Sequence, residues 1–171
     1  MIYLDMDGVI ADFFKAFAER NNVDHWKSIK DKEKALVELW NTDFFYQIPC
    51  FQGHNIPNDS QKIVEFVKSK GDWGICSSPL RGDHNNSAFW KRQWLVKWNF
   101  MPEVENCIFT SNKHKYAISR LTGRPNILVD DKIDNIKRWE NAGGIGIRFQ
   151  CDQDDIEEYL FPKLEEALDN I

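Results

Sequence analysis

The sequence predicts an α/β fold in which helices cover both faces of a Rossmann-like parallel sheet, with a small, mainly helical cap inserted after the first strand–helix unit. Two observations support the sheet. Five short apolar segments alternate with longer segments of helical periodicity, which is typical of parallel β-strands joined by helices. Several of these apolar segments end directly in acidic or hydroxyl residues. The cap is predicted because residues 22–58 break the alternation and are too long for a plain connection.

The five apolar segments are interpreted as buried strands. They cover residues 2–4, 73–76, 107–110, 127–129 and 145–149. The intervening segments predict helices at residues 12–21, 60–70, 87–98, 133–142 and 154–168. Ser60 and Ser87 are the predicted N-caps of the second and third helices, because a serine hydroxyl accepts from free first-turn amides. Pro162 predicts a kink or two short helices in the last segment.

The pattern divides the chain into two units. Residues 1–21 and 59–171 form the predicted core domain, and residues 22–58 form the predicted cap. Within the cap, residues 30–40 are a charged helix candidate, and the aromatic residues Phe44 and Phe45 follow it. Trp90, Trp94 and Trp98 are spaced four residues apart in the core, a stripe that is more often buried packing than a ligand contact.

Charge and composition limit the classes of partner. The net charge is -5, whereas proteins that bind nucleic-acid backbones usually present a basic surface. We therefore expect a small anionic substrate and no nucleic-acid polymer. We expect no membrane segment, because no apolar run approaches the ~20 residues of a membrane helix. The N-terminus lacks signal-peptide features and the cysteines are scattered, so we expect a cytoplasmic protein. We expect it to be either a monomer or a homodimer.

The first chemical signal is the pair Asp5 and Asp7 at the end of the first predicted strand. In an open parallel sheet, the carboxyl ends of the strands face the ligand crevice. Two carboxylates there can hold Mg²⁺, or one can attack phosphorus while the other transfers a proton. The alternative is a turn rich in Asp and Gly, which is common in hairpins.

Two later strands end in polar residues in the same way. Ser77 and Ser78 follow the second strand and can donate to a phosphate oxygen, although an ordinary strand exit would look the same. Asp130 and Asp131 follow the fourth strand. Adjacent carboxylates repel each other unless a cation is present, which favours a metal site shared with the first pair.

A lysine is needed to neutralise a bound phosphate. Lys113 lies just after the third strand and is the preferred candidate, with Lys115 as the alternative. Lys91 lies further along the chain from the Ser77 signal and is a third candidate that the sequence does not exclude.

The four signals, in this order, resemble the motifs of the haloacid dehalogenase superfamily of phosphohydrolases, and the resemblance spans residues 2–149. Within that superfamily the chain is most similar to the 5'(3')-deoxyribonucleotidases. Residues 5–13 are similar to that family's first motif throughout, and residues 75–80 to its second, with Ser77 in place of Thr. Residues 110–113 and 128–131 resemble the later motifs, although Ser111 stands where the family has Arg.

The resemblance implies a haloacid-dehalogenase-like fold and a residue-by-residue mechanism. Asp5 would attack phosphorus to form an aspartyl phosphate, and Asp7 would protonate the leaving alcohol and then activate water. Mg²⁺ would be bound by Asp5, the backbone carbonyl of Asp7 and Asp131, with Asp130 in support.

The remaining implied contacts are with the substrate. Ser77, Ser78 and Lys113 would bind phosphoryl oxygens, and Phe13 would face the base or sugar. Phe45, with Phe44, is a candidate for a stacking pocket above it. The implied function is hydrolysis of (deoxy)nucleoside monophosphates.

Three alternatives to this function remain open. The first is a phosphatase of the same superfamily that acts on another small phosphomonoester, such as a sugar phosphate. The second is a protein that keeps the fold and binds phosphate without catalysis. The third is a receiver domain like those of response regulators, which also clusters acids with a lysine.

Overall fold

A computed structural model describes residues 1–51 and 57–171 of the chain. Its centre is a five-stranded sheet in which all neighbouring strands are parallel. The strands are β1 (Ile2–Leu4), β2 (Trp73–Ser77), β3 (Cys107–Phe109), β4 (Ile127–Asp130) and β5 (Ile145–Arg148). Each predicted strand is present, with ends that differ by at most one residue. The predicted α/β class with a Rossmann-like parallel sheet is therefore confirmed.

Seven α-helices lie in the described part of the chain. They are α1 (Phe13–Arg20), α2 (Lys32–Val37), α3 (Phe44–Gln47), α4 (Asp59–Ser69), α5 (His84–Lys97), α6 (Ile133–Asn141) and α7 (Phe161–Asp169). Three 3-10 turns (Trp26–Ser28, Val104–Asn106, Lys113–Tyr116) and one π-helical turn (Ile156–Leu160) complete the elements. None of the described helices combines the length and the apolar character needed to cross a membrane.

Helices cover both faces of the sheet. Along β1, Ile2 and Leu4 pack into the larger apolar cluster with residues of α4, α5 and α7. Tyr3 points to the opposite face, where a smaller cluster contains Ile136 and Trp139 of α6. Successive side chains of a strand point to opposite faces of the sheet. Strands that are apolar on both faces therefore need helices on both sides of the sheet, and this sheet has them.

The strand order places a crevice beside β1. The order is β3-β2-β1-β4-β5, so the chain proceeds outward from β1 to β3 and then returns to β4 on the other side of β1. At such a reversal the connections that leave the two neighbouring strands, β1 and β4, diverge and leave a crevice between them. Ligands bind in this crevice, at the carboxyl ends of the strands. The acids that follow β1 and β4 lie at this point.

Residues of the predicted cap pack against the core through α5. Helix α3 contacts α5, and the indole Nε1 of Trp94 donates a 2.7 Å hydrogen bond to the carbonyl of Ile48. The helix predicted at residues 30–40 is shorter, Lys32–Val37, and begins after the capping carboxylate of Asp31. The division into core and cap stays a prediction, and residues 52–56 of the predicted cap lie outside the described residues.

Both predicted serine caps are wrong. Helix α4 begins after Asn58, which forms a capping box with Gln61. Ser60 lies inside its first turn, and its hydroxyl donates to the carbonyl of Ile10 at 2.6 Å. Helix α5 begins at His84, and the Ser87 hydroxyl instead accepts from the amide of Leu80 at 2.9 Å. The hydroxyl that local sequence assigns to the helix end is therefore used elsewhere, by a distant residue in the case of Ser60 and by the preceding loop in the case of Ser87.

The last segment forms two helical pieces, as Pro162 predicts. The π-helical turn Ile156–Leu160 is followed by α7, with Pro162 in the first turn of α7. Proline is accepted there because a first-turn amide has no intrahelical partner to lose.

The tryptophan stripe of α5 provides a test of this packing. We expect Trp94→Phe to lower the free energy of unfolding by about 3 kcal/mol, because it leaves the buried Ile48 carbonyl without its donor and creates a void. Trp98→Phe is the matched control. The Trp98 indole nitrogen is buried without a hydrogen-bond partner among the described residues, so its removal should cost about 1 kcal/mol or less. Urea denaturation measures both, and equal losses would contradict the role of the Trp94 hydrogen bond.

Candidate active site

Three carboxylates meet at the carboxyl edge of the two central strands. Asp5 follows β1 directly, and its amide donates to the carbonyl of Val129 at 2.9 Å. Asp130 is the last residue of β4, and Asp131 follows it. One oxygen from each of Asp5, Asp130 and Asp131 lies within 4.8 Å of the others. Adjacent parallel strands thus bring together acids that are 125 residues apart in the chain.

Lys113 neutralises part of this charge. Its ammonium is 3.0 Å from Asp5 Oδ1 and donates to Asp130 Oδ2 at 2.6 Å. The residue is 3% exposed. Burial disfavours the charged ammonium, but the two carboxylates outweigh burial and raise the pKa of Lys113 above its usual value. The predicted lysine therefore reaches the acids, whereas Lys115 does not line the cavity above them.

The contacts of Asp130 are mainly with groups that stabilise the fold. It is fully buried, and it accepts from the amide of Lys132 at 2.9 Å as well as from Lys113. The side-chain amide of Asn135 lies 3.2 and 3.1 Å from its two oxygens. Each oxygen therefore has two donors, which hold the first turn of α6 against the end of β4.

The negative charges of the remaining acids, Asp5 and Asp131, are only partly neutralised by neighbouring cations. Burial raises the pKa of Asp5, but Lys113 and Lys91 reverse this and hold it below its usual value. Burial and the charges of Asp5 and Asp130 raise the pKa of Asp131 to about 8. The group therefore has more negative charge than one ammonium offsets. A hard divalent cation with oxygen ligands fits this donor set, and it would relieve the repulsion at Asp131.

Gly8 permits the close approach of Asp131 to the loop after β1. Its φ is +81°, a conformation that favours glycine. A Cβ at this position would lie 2.9 Å from Asp131 Cγ and 3.0 Å from Phe14 Cε2. The glycine of the first motif thus makes space for an acid from a different strand.

Asp7 is held by a second buried lysine. The ammonium of Lys91, which is 1% exposed, donates to Asp7 Oδ2 at 2.8 Å, to Ser77 Oγ at 3.1 Å and to the Ser78 carbonyl at 2.8 Å. The other oxygen of Asp7 is buried without a hydrogen-bond partner among the described residues. The side chain of Asp7 is not part of the acidic cluster.

The sequence left Lys91 only as a third candidate for the phosphate-binding lysine and did not predict its pairing with Asp7, although a signal was present. Lys91 lies three residues before Trp94 and therefore on the apolar face of α5. A lysine on a buried helix face is rarely found without a paired carboxylate, so its position could have indicated an acid nearby.

The two serines have different positions. Ser77 is fully buried beneath the site, where its hydroxyl accepts from Lys91. Ser78 lines the cavity, and its hydroxyl donates to the carbonyl of Thr110 at 3.2 Å. Only Ser78 of this pair therefore reaches the cavity.

A cavity of about 680 Å³ opens above the acids. Asp5, Asp7, Ser78, Lys113 and Asp131 line its floor. Its apolar wall includes Phe13, Phe14, Phe17, Trp26, Leu36 and Phe45. The rings of Phe13 and Phe45 are nearly parallel, 6.3 Å apart between centroids. Phe44 contacts Phe13 edge-on but does not line the cavity.

Comparison with models of known protein families finds no match, and comparison with curated proteins finds no similar sequence. The function must therefore be inferred from the site itself.

We expect Lys91→Met to lower the free energy of unfolding by about 2 kcal/mol. Breaking a buried ion pair by removing one partner typically costs about 3–5 kcal/mol, but the Asp7 side chain is 27% exposed and water will compensate in part. The matched control is Lys137→Met on the exposed surface of α6, which should change stability by less than about 0.5 kcal/mol. Denaturant unfolding of both variants checks this, and an equal effect would show that the Lys91 pair contributes nothing.

Proposed function

We propose that this chain is a Mg²⁺-dependent phosphomonoester hydrolase of the haloacid dehalogenase type that acts through an aspartyl phosphate on Asp5. The observation that carries the proposal is the arrangement around Asp5. Its carboxylate lies 3.0 Å from Lys113, within an acidic cluster and on the floor of an aromatic cavity. A nucleophilic carboxylate must be ionised, and the lowered pKa of Asp5 meets that requirement.

The first step follows from these positions. An oxygen of Asp5 forms a bond to phosphorus while the bond from phosphorus to the leaving oxygen breaks. The leaving oxygen takes a proton that Asp7 must carry when the substrate binds, and the side chain of Asp7 lines the cavity in which the substrate would lie. Lys91 fixes Oδ2 of Asp7 and so orients the group. Lys113 offsets the repulsion between Asp5 and the anionic phosphate.

The second step releases phosphate from Asp5. Asp7 removes a proton from water, the water oxygen attacks phosphorus, and the bond from phosphorus to Asp5 breaks. Asp5 and Asp7 both line the cavity, so both can reach a water molecule that enters it. The same group thus gives a proton in one step and takes one in the other.

Asp5 and Asp131 are the side chains that we propose as Mg²⁺ ligands, with the backbone carbonyl of Asp7 and with Asp130 in support. Bound there, the cation would polarise the phosphoryl oxygens and stabilise their charge in the transition state. Asp130 is the weakest of the proposed ligands, because each of its oxygens already accepts from two donors.

A nucleoside monophosphate is the proposed substrate, in line with the resemblance to the 5'(3')-deoxyribonucleotidases. The nearly parallel rings of Phe13 and Phe45 provide flat apolar surfaces of the kind that stack with a base. A sugar phosphate would leave this aromatic wall without a matching partner, and it remains the alternative substrate.

We expect the wild-type chain to release phosphate from (deoxy)nucleoside monophosphates. We expect Asp5→Asn to reduce kcat by at least about 10³-fold, because an amide cannot form the acyl phosphate. Asp134→Asn, an exposed acid in the first turn of α6, is the matched control and should keep activity within about twofold. A phosphate-release panel with nucleotides and sugar phosphates measures both. Near-normal turnover by Asp5→Asn would exclude the covalent mechanism, and a preference for sugar phosphates would overturn the substrate assignment only.

Mg²⁺ should stabilise the fold as well as support turnover. At 100 times its dissociation constant, a ligand that binds only the folded state adds about 2.7 kcal/mol of stability, so we expect a rise in Tm and its reversal by EDTA. Asp131→Asn should greatly reduce the rise, whereas Asp134→Asn should retain it. If Mg²⁺ left both the Tm and the activity unchanged, the metal assignment would be wrong.

A further inference from the structure

The cavity has an excess of positive charge. Its lining includes the five cationic side chains Lys32, Arg81, Lys113, Lys132 and Arg138, but only the three acids Asp5, Asp7 and Asp131. The two charged groups that contact these acids or Lys113 from outside the lining, Lys91 and Asp130, cancel each other. A local surplus of two positive charges is unexpected in a chain with a net charge of -5.

Four of the five cations have no salt bridge among the described residues. Lys113 alone is paired, with Asp5 and Asp130. Arg138 donates towards the His114 ring at 3.1 Å, and Lys32 donates to the Ile29 carbonyl at 3.3 Å. These hydrogen bonds orient the side chains without a carboxylate to neutralise them. Cations near a ligand cavity that form no salt bridge are available to an anionic ligand.

The loop that carries Arg81 is anchored. The indole Nε1 of Trp40 donates to the Arg81 carbonyl at 3.0 Å. Gly82 has a φ of +84° and packs against the Trp40 ring so closely that a Cβ would collide with it. The amide of Asn41 donates to Asp83 Oδ2 at 3.2 Å. The Arg81 backbone is therefore held on both sides, which lowers the entropy cost of presenting its guanidinium to a ligand.

The charge balance of the proposed reaction leaves this surplus in place. A phosphomonoester carries about two negative charges at neutral pH, since its second pKa is about 6. One divalent cation cancels that charge. At least two surplus positive charges of the cavity then remain, because this count takes every acid as ionised, and they suit one additional phosphate group.

We propose, on the basis of the function proposed above, that the substrates are bisphosphorylated. One phosphate is hydrolysed at Asp5, and the second lies in the field of Arg81, Arg138, Lys32 and Lys132 and is not cleaved. Arginine binds phosphate oxygens with paired hydrogen bonds, so the two arginines are the main determinants. The aromatic wall favours a nucleoside as the organic part, that is, a nucleoside 3',5'-bisphosphate.

The test compares matched substrates with the full-length protein and Mg²⁺. The pairs are a nucleoside 5'-monophosphate against its 3',5'-bisphosphate, and a hexose 6-phosphate against its 1,6-bisphosphate. We expect kcat/KM for the nucleoside bisphosphate to exceed that for the monophosphate at least tenfold, about 1.4 kcal/mol. The gain should appear mainly as a lower KM, because the second phosphate does not react. A gain for the hexose pair alone would support the second-phosphate subsite but assign its organic part to a sugar.

Variants locate the second phosphate. Arg81→Gln and Arg138→Gln should each raise KM for the bisphosphate more than for the monophosphate, so that the ratio of the two kcat/KM values falls towards one. Arg120→Gln, which is exposed and outside the cavity lining, is the matched control and should leave the ratio unchanged. An equal or lower kcat/KM for both bisphosphates in the wild type would overturn the inference, as would a ratio insensitive to both cavity arginines.

Failure of the proposed function is distinguishable from failure of this inference. If no substrate is hydrolysed, titration calorimetry of the same pairs with the wild type and Arg138→Gln replaces turnover. Tighter binding of a bisphosphate that Arg138→Gln abolishes would support the subsite in a non-catalytic protein. Equal affinity for both members of each pair would overturn it.

Discussion

The ion pairs of Lys113 with Asp5 and Asp130 are the interaction on which the site depends. The parallel arrangement of β1 and β4 forces acidic side chains together at one edge of the sheet, and they would repel each other without a cation among them. Lys113 is placed there by the short turn after β3 and is almost completely buried. It offsets part of the repulsion. Burial and the repulsion that remains raise the pKa of Asp131, and a divalent cation would relieve that repulsion.

Helix α5 connects this edge to the region above it. One of its faces carries Lys91, which binds Asp7, and Trp94, which binds the carbonyl of Ile48. The Lys91 ammonium also lies 4.9 Å from the centre of the Phe45 ring. A single helix therefore positions Asp7, the aromatic wall of the cavity and the entry of the chain from the predicted cap. Displacement of α5 would move the acid and the aromatic wall together.

The sequence predicted those features that depend on local pattern. The strands were recognisable because segments buried on both faces are apolar throughout, and the acids after β1 and β4 were recognisable because charges directly after such strands are uncommon. The serine caps were wrong because Ser60 bonds to Ile10, which is far away in the chain, and Ser87 bonds to Leu80 in the loop before α5. The role of Lys91 was missed because its carboxylate partner, Asp7, is 84 residues away in the chain.

By itself, then, the sequence determined the parallel α/β sheet, the position of Asp5, Asp7, Asp130 and Asp131 at strand ends, and Lys113 as the preferred phosphate-binding lysine. These features follow from the periodicity of apolar residues and from the charges of neighbouring residues, which are local properties of the sequence. The tertiary structure decided which lysine serves which acid, which serine reaches the cavity, and that four cations without salt bridges surround it. Those features depend on distances between segments far apart in the chain, and packing alone sets such distances.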